Sequence, residues 1–332
     1  MDNHRIDSYS ACIEKVCAWT EENLKPDGSW GRDSSSSGYL SVAPFANAIG
    51  RRDWSLRVLR HVQEHFLDDQ GALQQDSRFA EKIGYVPSWF VWGAAGAGCF
   101  ELSNCLANGL TALQCPRSGG LFGRIQGARQ GGRIEFDATT MGTLAFARSG
   151  RTGSCTRAAD YLVGLLESQP DFNHCLYTEW EEPGGLVTDE ASGFPVLRWD
   201  QPRQGYYKIG LFVVALVEAY GVTGSQDYLQ AAISVYRHCT ERAVDLWSSM
   251  LSHKMIWAAA RLHAVTHEPQ YTEDACRLAD HVATLQHSDG TFSYPEVWAT
   301  FPPEPWDLVP NLAFQAGLWL AMARDTLRAR HV

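Results

Sequence analysis

The segment VATLQHSDGTFS, Val282 to Ser293, carries the end of a helical stretch, Gln286, a polar turn through Gly290, and then Phe292. The same order of helix, turn and aromatic or aliphatic residue recurs about every 45–70 residues, which is the mark of a repeat architecture. The other copies are AWTEENLKPDGSWG (18–31), HVQEHFLDDQGAL (61–73), LTALQCPRSGGLFG (110–123), GLLESQPDFNHCLY (164–177) and a degenerate copy without glycine at 237–249.

Each turn is preceded by an amphipathic stretch and followed by an apolar one. Tyr9, Ile13 and Val16 show the three- and four-residue spacing of the first kind. The second kind is small and apolar on nearly every face, so it must be buried; its members are 88–99, 138–147, 209–220 and 256–265. Pro44 and Pro310 suit the first turn of such helices. Six alternations of amphipathic and apolar helices predict an all-α fold, an (α/α)6 toroid of about twelve helices with an inner and an outer ring. We expect residues 1–332 to form one domain.

The repeats resemble those of the terpenoid-cyclase and protein-prenyltransferase superfamily of α/α toroids. That family places Gln, a spacer, Gly, one residue and an aromatic at the end of an outer helix, which Gln286 to Phe292 matches with Phe for Trp. Segments 23–30 and 114–122 are looser copies. Linalool dehydratase-like toroids and several sugar-processing (α/α)6 barrels are similar at this level. The resemblance implies the architecture and leaves the activity open.

Several motifs of that superfamily are absent from the sequence. There is no Asp-x-Asp-Asp cluster, and Asp68-Asp69 lacks the remaining acid of the aspartate-rich pyrophosphate motif. The Asp, Cys and His zinc set of the prenyltransferases has no assignable counterpart. No P-loop, dinucleotide fingerprint or nucleophile elbow occurs either. We therefore expect a protein that uses neither a metal nor a cofactor.

Charge and cysteine usage limit the partners and the compartment. The formal net charge is −10, whereas nucleic acids and anionic membranes need basic faces. The nine cysteines are scattered, without Cys-x-x-Cys pairs, and no charged and apolar leader opens the sequence. These features predict buried cysteines, a cytoplasmic protein, no nucleic-acid partner, no membrane span and a small-molecule substrate. They do not predict an oligomeric state.

In such a ring the pocket lies at the N-termini of the inner helices and at the turns before them. The 12 Trp, 12 Tyr and 14 Phe supply aromatic walls for it. The candidate catalytic residues are Asp137, His253, Tyr207 and Lys208. The candidate substrate-binding residues are Trp30, Tyr39, Tyr85, Trp89, Phe122, Thr140, Trp180, Lys254, Phe292, Tyr294, Trp306, Asp307 and Asn311.

Each candidate also has an ordinary structural interpretation. Asp137 is a general acid or base, or the N-cap of its helix. His253 exchanges protons near neutrality, or is a hydrogen-bonded structural residue. Lys208 and Lys254 bind a carboxylate, phosphate or enolate, or are solvated charges at the rim. The tyrosines orient a carbonyl or fill the ring, and Asp307 caps the last helix.

Three functions fit these residues. The first is acid–base cyclisation, isomerisation or elimination on a largely apolar, terpenoid- or polyketide-like substrate that is held away from water. The second is a carbohydrate hydrolase, lyase or epimerase, with Trp platforms and a carboxylate pair. Asp137 would provide one carboxylate of that pair, and the other would come from Glu181, Glu182, Glu296 or Asp307. The third is a non-catalytic helical scaffold with a filled centre and an exposed apolar patch.

Overall fold

The computed structural model describes residues 2–30, 35–68, 72–74, 83–123, 132–188, 196–294 and 308–329, with the backbone alone at residue 308. Twelve α-helices lie in these ranges. They are α1 (Asp2–Asn23), α2 (Val42–Ala48), α3 (Arg52–Phe66), α4 (Tyr85–Ala97), α5 (Phe100–Ala112), α6 (Phe136–Arg148), α7 (Thr152–Glu167), α8 (Tyr207–Thr223), α9 (Gln226–Arg242), α10 (His253–Thr266), α11 (Pro269–Thr284) and α12 (Leu308–Ala329).

The even-numbered helices form the inner ring. Each contacts the next in the cycle α2, α4, α6, α8, α10, α12, and α12 contacts α2 to close the ring. The odd-numbered helices pack outside, each against its inner neighbours. This arrangement confirms the predicted (α/α)6 toroid, including its order of outer and inner helices. Pro44 and Pro310 each stand third in their helices, within the first turn as predicted.

Burial follows the two sequence patterns. The outer helix α3 buries a stripe that includes Trp54, Val58 and Val62, while α8 is buried at every position from Lys208 to Ala219. Glycine lets neighbouring inner helices approach closely. A Cβ atom at Gly93 of α4 would lie 2.6 Å from the Cβ atom of Ala43 on α2. The small-residue stretch 93–98 is therefore a helix-packing surface.

The glycine of the repeat turn holds successive outer helices together. Gly290 has φ of +94°, and a Cβ atom there would lie 2.3 Å from the carbonyl oxygen of Lys15 in α1. Gly28 and Gly119 are equivalent, with positive φ and the carbonyl groups of α3 and α7 at 2.4 and 2.3 Å from their Cβ positions. Only glycine adopts this conformation at such a distance. The turn after α11 therefore packs on α1 and closes the outer ring.

The glutamine of the motif forms hydrogen bonds between the turn and the neighbouring outer helix. Gln286 Nε2 donates to the carbonyl oxygens of Cys12 (2.8 Å) and Gly290 (3.4 Å). Gln114 Nε2 likewise donates to the carbonyl oxygens of Gly119 (2.8 Å) and Ser154 (2.9 Å). In these two copies the motif thus joins the turn to the next outer helix, which explains why Gln and Gly occur together there.

Five short strands lie in the described loops. They are β1 (Gly132–Ile134), β2 (Cys175–Tyr177), β3 (Trp180–Glu182), β4 (Gly185–Leu186) and β5 (Val196–Arg198). Antiparallel pairing gives a sheet in the order β1-β3-β4 and a separate β2-β5 pair. β3 and β4 form a short antiparallel hairpin in the connection between α7 and α8. The pairings of β1 and β5 were not predicted.

The connections differ in length at the two ends of the ring. Links from an inner to the next outer helix take two or three residues, as at 49–51, 98–99 and 149–151. Links from an outer to the next inner helix are longer, as at 67–84 and 168–206. The inner helices consequently all start at the long-connection end. No described helix has the length and apolarity needed to cross a membrane, and all nine cysteines are free, six of them buried.

Candidate active site

Lys254 of α10 and Tyr85 of α4 meet inside the ring. Lys254 Nζ donates to the Tyr85 hydroxyl over 3.3 Å. It also lies 4.9 Å from the ring centroid of Tyr207 and 6.0 Å from that of Trp89, within cation–π range. Lys254 is only 4% exposed. Because α4 and α10 are three places apart in a ring of six, this contact spans the ring's axis, one turn or less from the long-connection end.

The approach of α8 to α10 depends on Gly210. A Cβ atom at Gly210 would lie 2.5 Å from the Lys254 carbonyl, so the two helices touch backbone to backbone there. Lys208 stands half a turn earlier on α8 and is buried. Its Nζ donates to Thr178 Oγ1 over 2.9 Å and lies 5.9 Å from the centroid of Phe136. Two buried ammonium groups therefore lie at the same end of neighbouring inner helices.

His253 precedes Lys254 and is held by a polar chain. Its Nδ1 bonds the Met250 carbonyl at 2.8 Å, and its Nε2 lies 3.1 Å from the side-chain amide of Gln315. Burial, reinforced by the positive charge of Lys254, lowers the pKa of His253 to about 3. At neutral pH His253 therefore has a single N–H, with the Met250 carbonyl and Gln315 Oε1 as its two available acceptors.

The same chain continues to the start of α12 and to the loop before α2. The Gln315 side chain bonds that of Asn311 at 3.0 Å, and Ser41 Oγ donates to the Asn311 carbonyl and side-chain oxygens, both at 2.9 Å. Tyr207 stacks on the His253 ring, with centroids 6.5 Å apart. The predicted residues Tyr207, His253 and Asn311 are thus brought together with Lys254.

Asp137 lies in the first turn of α6 and is buried. The N-cap position belongs to Glu135, two residues earlier, so the N-cap interpretation of Asp137 is wrong by position. The start of α6 touches the residue before α4, because a Cβ atom at Gly84 would lie 2.8 Å from the Ala138 Cβ atom. Ring order therefore places Asp137 between Tyr85 on α4 and Tyr207 on α8. Thr140 is buried one turn further on and bonds the carbonyl of Phe136 at 3.0 Å.

The other aromatic candidates fall into separate places. Trp30 stacks on Tyr39 (centroids 5.8 Å) and Phe314 (5.4 Å), and forms a cluster between α1 and α12. Tyr294 and Phe292 are both buried, and the Tyr294 hydroxyl donates to the Leu312 carbonyl over 3.1 Å.

On the small sheet, Trp180 packs edge-on against Tyr161, at 6.3 Å between centroids. Phe122 forms an isolated bridge to Ile134 of β1. Both residues are thus placed at the small sheet. Trp306, Asp307 and Glu296 lie outside the described residues.

The two loop acids belong to the sheet. Glu181 lies 3.8 Å from Arg133 on the neighbouring strand, and Glu182 lies 3.8 Å from Arg117. Glu181 is exposed and Glu182 half-buried. The Glu181 side chain is 58% exposed, as for an ordinary surface charge, whereas that of Glu182 is only 10% exposed.

Sequence reasoning missed four groups at the site. Gln315, Thr178 and Ser41 complete the polar contacts of His253, Lys208 and Asn311, and Trp257 stacks against Trp92 across the axis (centroids 4.6 Å, planes 5° apart). A signal existed for Gln315, which stands one turn after Asn311. Thr178 follows a strand, and no helical pattern points to it.

The arrangement suits the handling of an oxygen-bearing substrate. Two ammonium groups and a phenol supply hydrogen-bond donors in a dry, aromatic setting, where they act more strongly than in water. Asp137 supplies a carboxylate at the same end. Within the ranges that the structure covers, no three His, Cys, Asp or Glu side chains are arranged to hold a metal ion.

No family model and no curated protein matches the chain, whereas many solved structures share its fold. An α-mannanase of glycoside hydrolase family 76 from Bacteroides thetaiotaomicron aligns over 100% of both chains, with 12% identity and a TM-score of 0.69. A D-mannose isomerase aligns over 97% of both chains, with 12% identity and a TM-score of 0.66. A type II terpene cyclase from Scytonema aligns over 98% of this chain and 99% of its own, with 12% identity and a TM-score of 0.59. At such identities the likeness establishes the toroid fold alone.

Proposed function

We propose that the chain is an enzyme that moves protons on a hydroxylated carbonyl compound, such as a sugar, in an isomerisation, epimerisation or elimination. The observation that carries this proposal is the buried Lys254–Tyr85 contact across the ring axis. A carbonyl oxygen placed beside these two groups would accept hydrogen bonds from both. The two groups would stabilise the negative charge that develops on that oxygen in the transition state more than they stabilise the neutral carbonyl of the bound substrate. Such a difference is what lowers the barrier of a reaction.

The remaining residues have definite parts in this scheme. Asp137 takes a proton from the carbon next to the carbonyl and returns it to the same or the adjacent carbon. Lys208, held by Thr178, binds a second substrate oxygen. His253 stays neutral, positions Lys254 through their shared turn, and presents its ring to Tyr207. Trp89, Thr140 and Asn311 form walls of the pocket.

The buried lysines count against hydrocarbon cyclisation. A carbocation intermediate needs open aromatic faces, but the faces of Tyr207 and Trp89 already lie next to the Lys254 ammonium group. A second positive charge there would be repelled strongly in a medium of low dielectric constant. A cyclase or lyase acting on a largely apolar substrate remains the second candidate, because the tryptophan layer of Trp89, Trp92, Trp257 and Trp319 floors the ring with apolar surface.

The activities of proteins with similar structures support a sugar substrate without deciding the reaction. Two of the three proteins named above act on mannose or mannan, one as an isomerase and one as a hydrolase. Hydrolysis needs two carboxylates about 5–10 Å apart. Glu181 and Glu182 are each engaged by an arginine of the loop region. These arginine contacts count against either glutamate as the partner of Asp137 in hydrolysis and so favour proton transfer.

A substrate panel in D2O tests the proposal. Aldoses, ketoses and uronates would be incubated with the protein and followed by proton NMR, and a prenylated phenol would be followed by mass spectrometry. We expect one sugar-like compound to be converted with solvent deuterium at the carbon next to the carbonyl. Hydrolysis of mannosides without exchange, or turnover of the prenylated phenol alone, would overturn the proposal.

A further inference from the structure

A second cavity opens at the short-connection end of the ring, opposite the candidate active site. Its volume is about 700 Å3, and it lies among the last turns of α2, α4, α6, α10 and α12. We call it the rear cavity and define it by Trp92, Trp257, Arg148, Arg261 and Asp325 of its lining. It is large enough for a small organic molecule.

The tryptophan layer separates the rear cavity from the candidate active site. Trp92 and Trp257 stack in parallel, and Trp257 stacks in turn on Trp319 with centroids 5.0 Å apart. Trp92 and Trp257 line the rear cavity, whereas Trp89, one turn earlier on α4, lies beside Lys254 on the other side. A molecule in the rear cavity would thus be distinct from the substrate.

The walls suit a flat ring. Ala48, Gly96, Ala260 and Ala264 line the cavity next to the stacked indoles, so the helix surfaces there carry almost no side chain. Trp92 is half-buried, which leaves part of its indole open to the cavity. A planar ligand can contact such surfaces and the indole edge together, and aromatic contacts add to the burial of apolar area.

The charges favour an anion. Arg148 Nη2 and Arg261 Nε both lie 2.9 Å from the same oxygen of Glu218, whose side chain is 8% exposed. On α12, Arg324 and Arg328 lie 2.9 and 3.5 Å from one oxygen of Asp325. The first group, whose two arginines line the cavity, has a net charge of +1 in a chain of net charge −10, whereas of the second group only Asp325 lines the cavity.

The guanidinium groups also have hydrogen-bonding capacity to spare. Each guanidinium has five N–H donors; Arg148 uses one of them in a hydrogen bond to Glu218, and Arg261 contacts Glu218 as an ion pair without a hydrogen bond. The negative ends of the inner helices at this mouth work against an anion. They act at the helix termini, however, whereas the arginine donors can reach the ligand itself.

We propose that the rear cavity binds a small planar organic anion, of the aryl carboxylate class, with its ring against Trp92 and its carboxylate on Arg148 and Arg261. The assignment is independent of the reaction at Lys254. It gives the short-connection end a binding function of its own, on the far side of the tryptophan layer.

Calorimetric titration with three isosteric probes tests this inference: 2-naphthoate, 2-naphthalenemethanol and 2-naphthylmethylammonium. We expect naphthoate to bind at one site, about tenfold or more tightly than either other probe, the effect of a charge-assisted hydrogen bond. Arg261→Gln and Arg148→Gln should each weaken naphthoate about tenfold and leave the alcohol unchanged. Trp92→Leu should weaken all three probes.

Arg51→Gln is the matched control, because Arg51 lies over Trp54 at the same end but does not line the cavity. It should bind naphthoate as the wild type does, and thermal melting confirms that each variant is folded. No naphthoate binding, equal or tighter binding of the alcohol or ammonium probe, or unchanged affinity in both arginine variants would overturn the proposal. The proposal would also be overturned if Lys254→Met lost naphthoate binding while Arg261→Gln kept it. The probe would then occupy the candidate active site and not the rear cavity.

Discussion

Lys254 on α10 and Tyr85 on α4 lie on opposite sides of the inner ring and are joined by a hydrogen bond of 3.3 Å. Three residues after Lys254 and seven residues after Tyr85, the same two helices bring Trp257 and Trp92 together in a parallel stack. The polar contact marks the centre of the candidate active site and the aromatic contact marks its floor. The stacked tryptophans therefore lie between the Lys254–Tyr85 contact and the rear cavity.

Replacing Asp137 by Asn should abolish most activity without unfolding the protein. The amide has the shape of the carboxylate but cannot accept a proton, so turnover of the substrate identified in the panel should fall about 100-fold or more. Glu181→Gln is the matched control, since it removes an exposed carboxylate from the neighbouring sheet. Circular dichroism should show equal helicity in both variants. Full activity of Asp137→Asn would remove this residue from the mechanism.

The stability of the fold should fall below pH 6.5 in part because of His253. Its pKa is about 3 in the fold, below the value of about 6.5 expected in an unfolded chain. Between these values the unfolded chain binds the proton and the folded chain does not, so the free energy of unfolding decreases as the pH falls.

The slope due to this one group is about 1.4 kcal/mol per pH unit. Urea titrations between pH 4 and 7.5 measure it, and His253→Asn, which keeps a donor for the Met250 carbonyl, should remove that part of the slope. Equal slopes in the two proteins would show that His253 is protonated without cost in the fold.

Two glycine variants separate backbone strain from helix contact. Gly50 and Gly290 both have positive φ, but a Cβ atom at Gly50 meets nothing within 4 Å, whereas one at Gly290 would meet the Lys15 carbonyl. Gly50→Ala should cost about 1 kcal/mol of unfolding free energy from the left-handed conformation. Gly290→Ala should cost about 3 kcal/mol or more, because α11 and α1 must also move apart. Similar losses in urea unfolding would mean that the turn does not fasten the two helices.

The repeat pattern predicted the architecture because both rings leave a local signature. Amphipathic spacing identifies outer helices such as α3, uniform apolarity identifies inner helices such as α8, and the Gln–Gly turn marks the junctions. The same pattern located the inner helices to within about three residues, for example 88–99 for α4, which runs from Tyr85 to Ala97. The small sheet could not be predicted from the sequence, because its strands are only two or three residues long and pair across distant loops.

The candidate site was predicted residue by residue but not as an arrangement. Lys254 and Tyr85 are 169 positions apart in the sequence, and their contact depends on which inner helices face each other when the ring closes. His253 shows the same limit. Its position at the start of a helix suggested a proton carrier, whereas burial beside Lys254 and the bond to Met250 make it a neutral, fixed group.

The central claim is that Lys254 and Tyr85 stabilise the oxygen of a substrate that loses a proton from the adjacent carbon. It is tested most directly by measuring solvent deuterium at that carbon with the wild type, Lys254→Met and Tyr85→Phe. We predict deuterium incorporation by the wild type, and rates at least about 100-fold lower in Lys254→Met, as for the loss of an oxyanion donor, with a smaller loss in Tyr85→Phe. Conversion without deuterium, or a full rate in Lys254→Met, would contradict the claim.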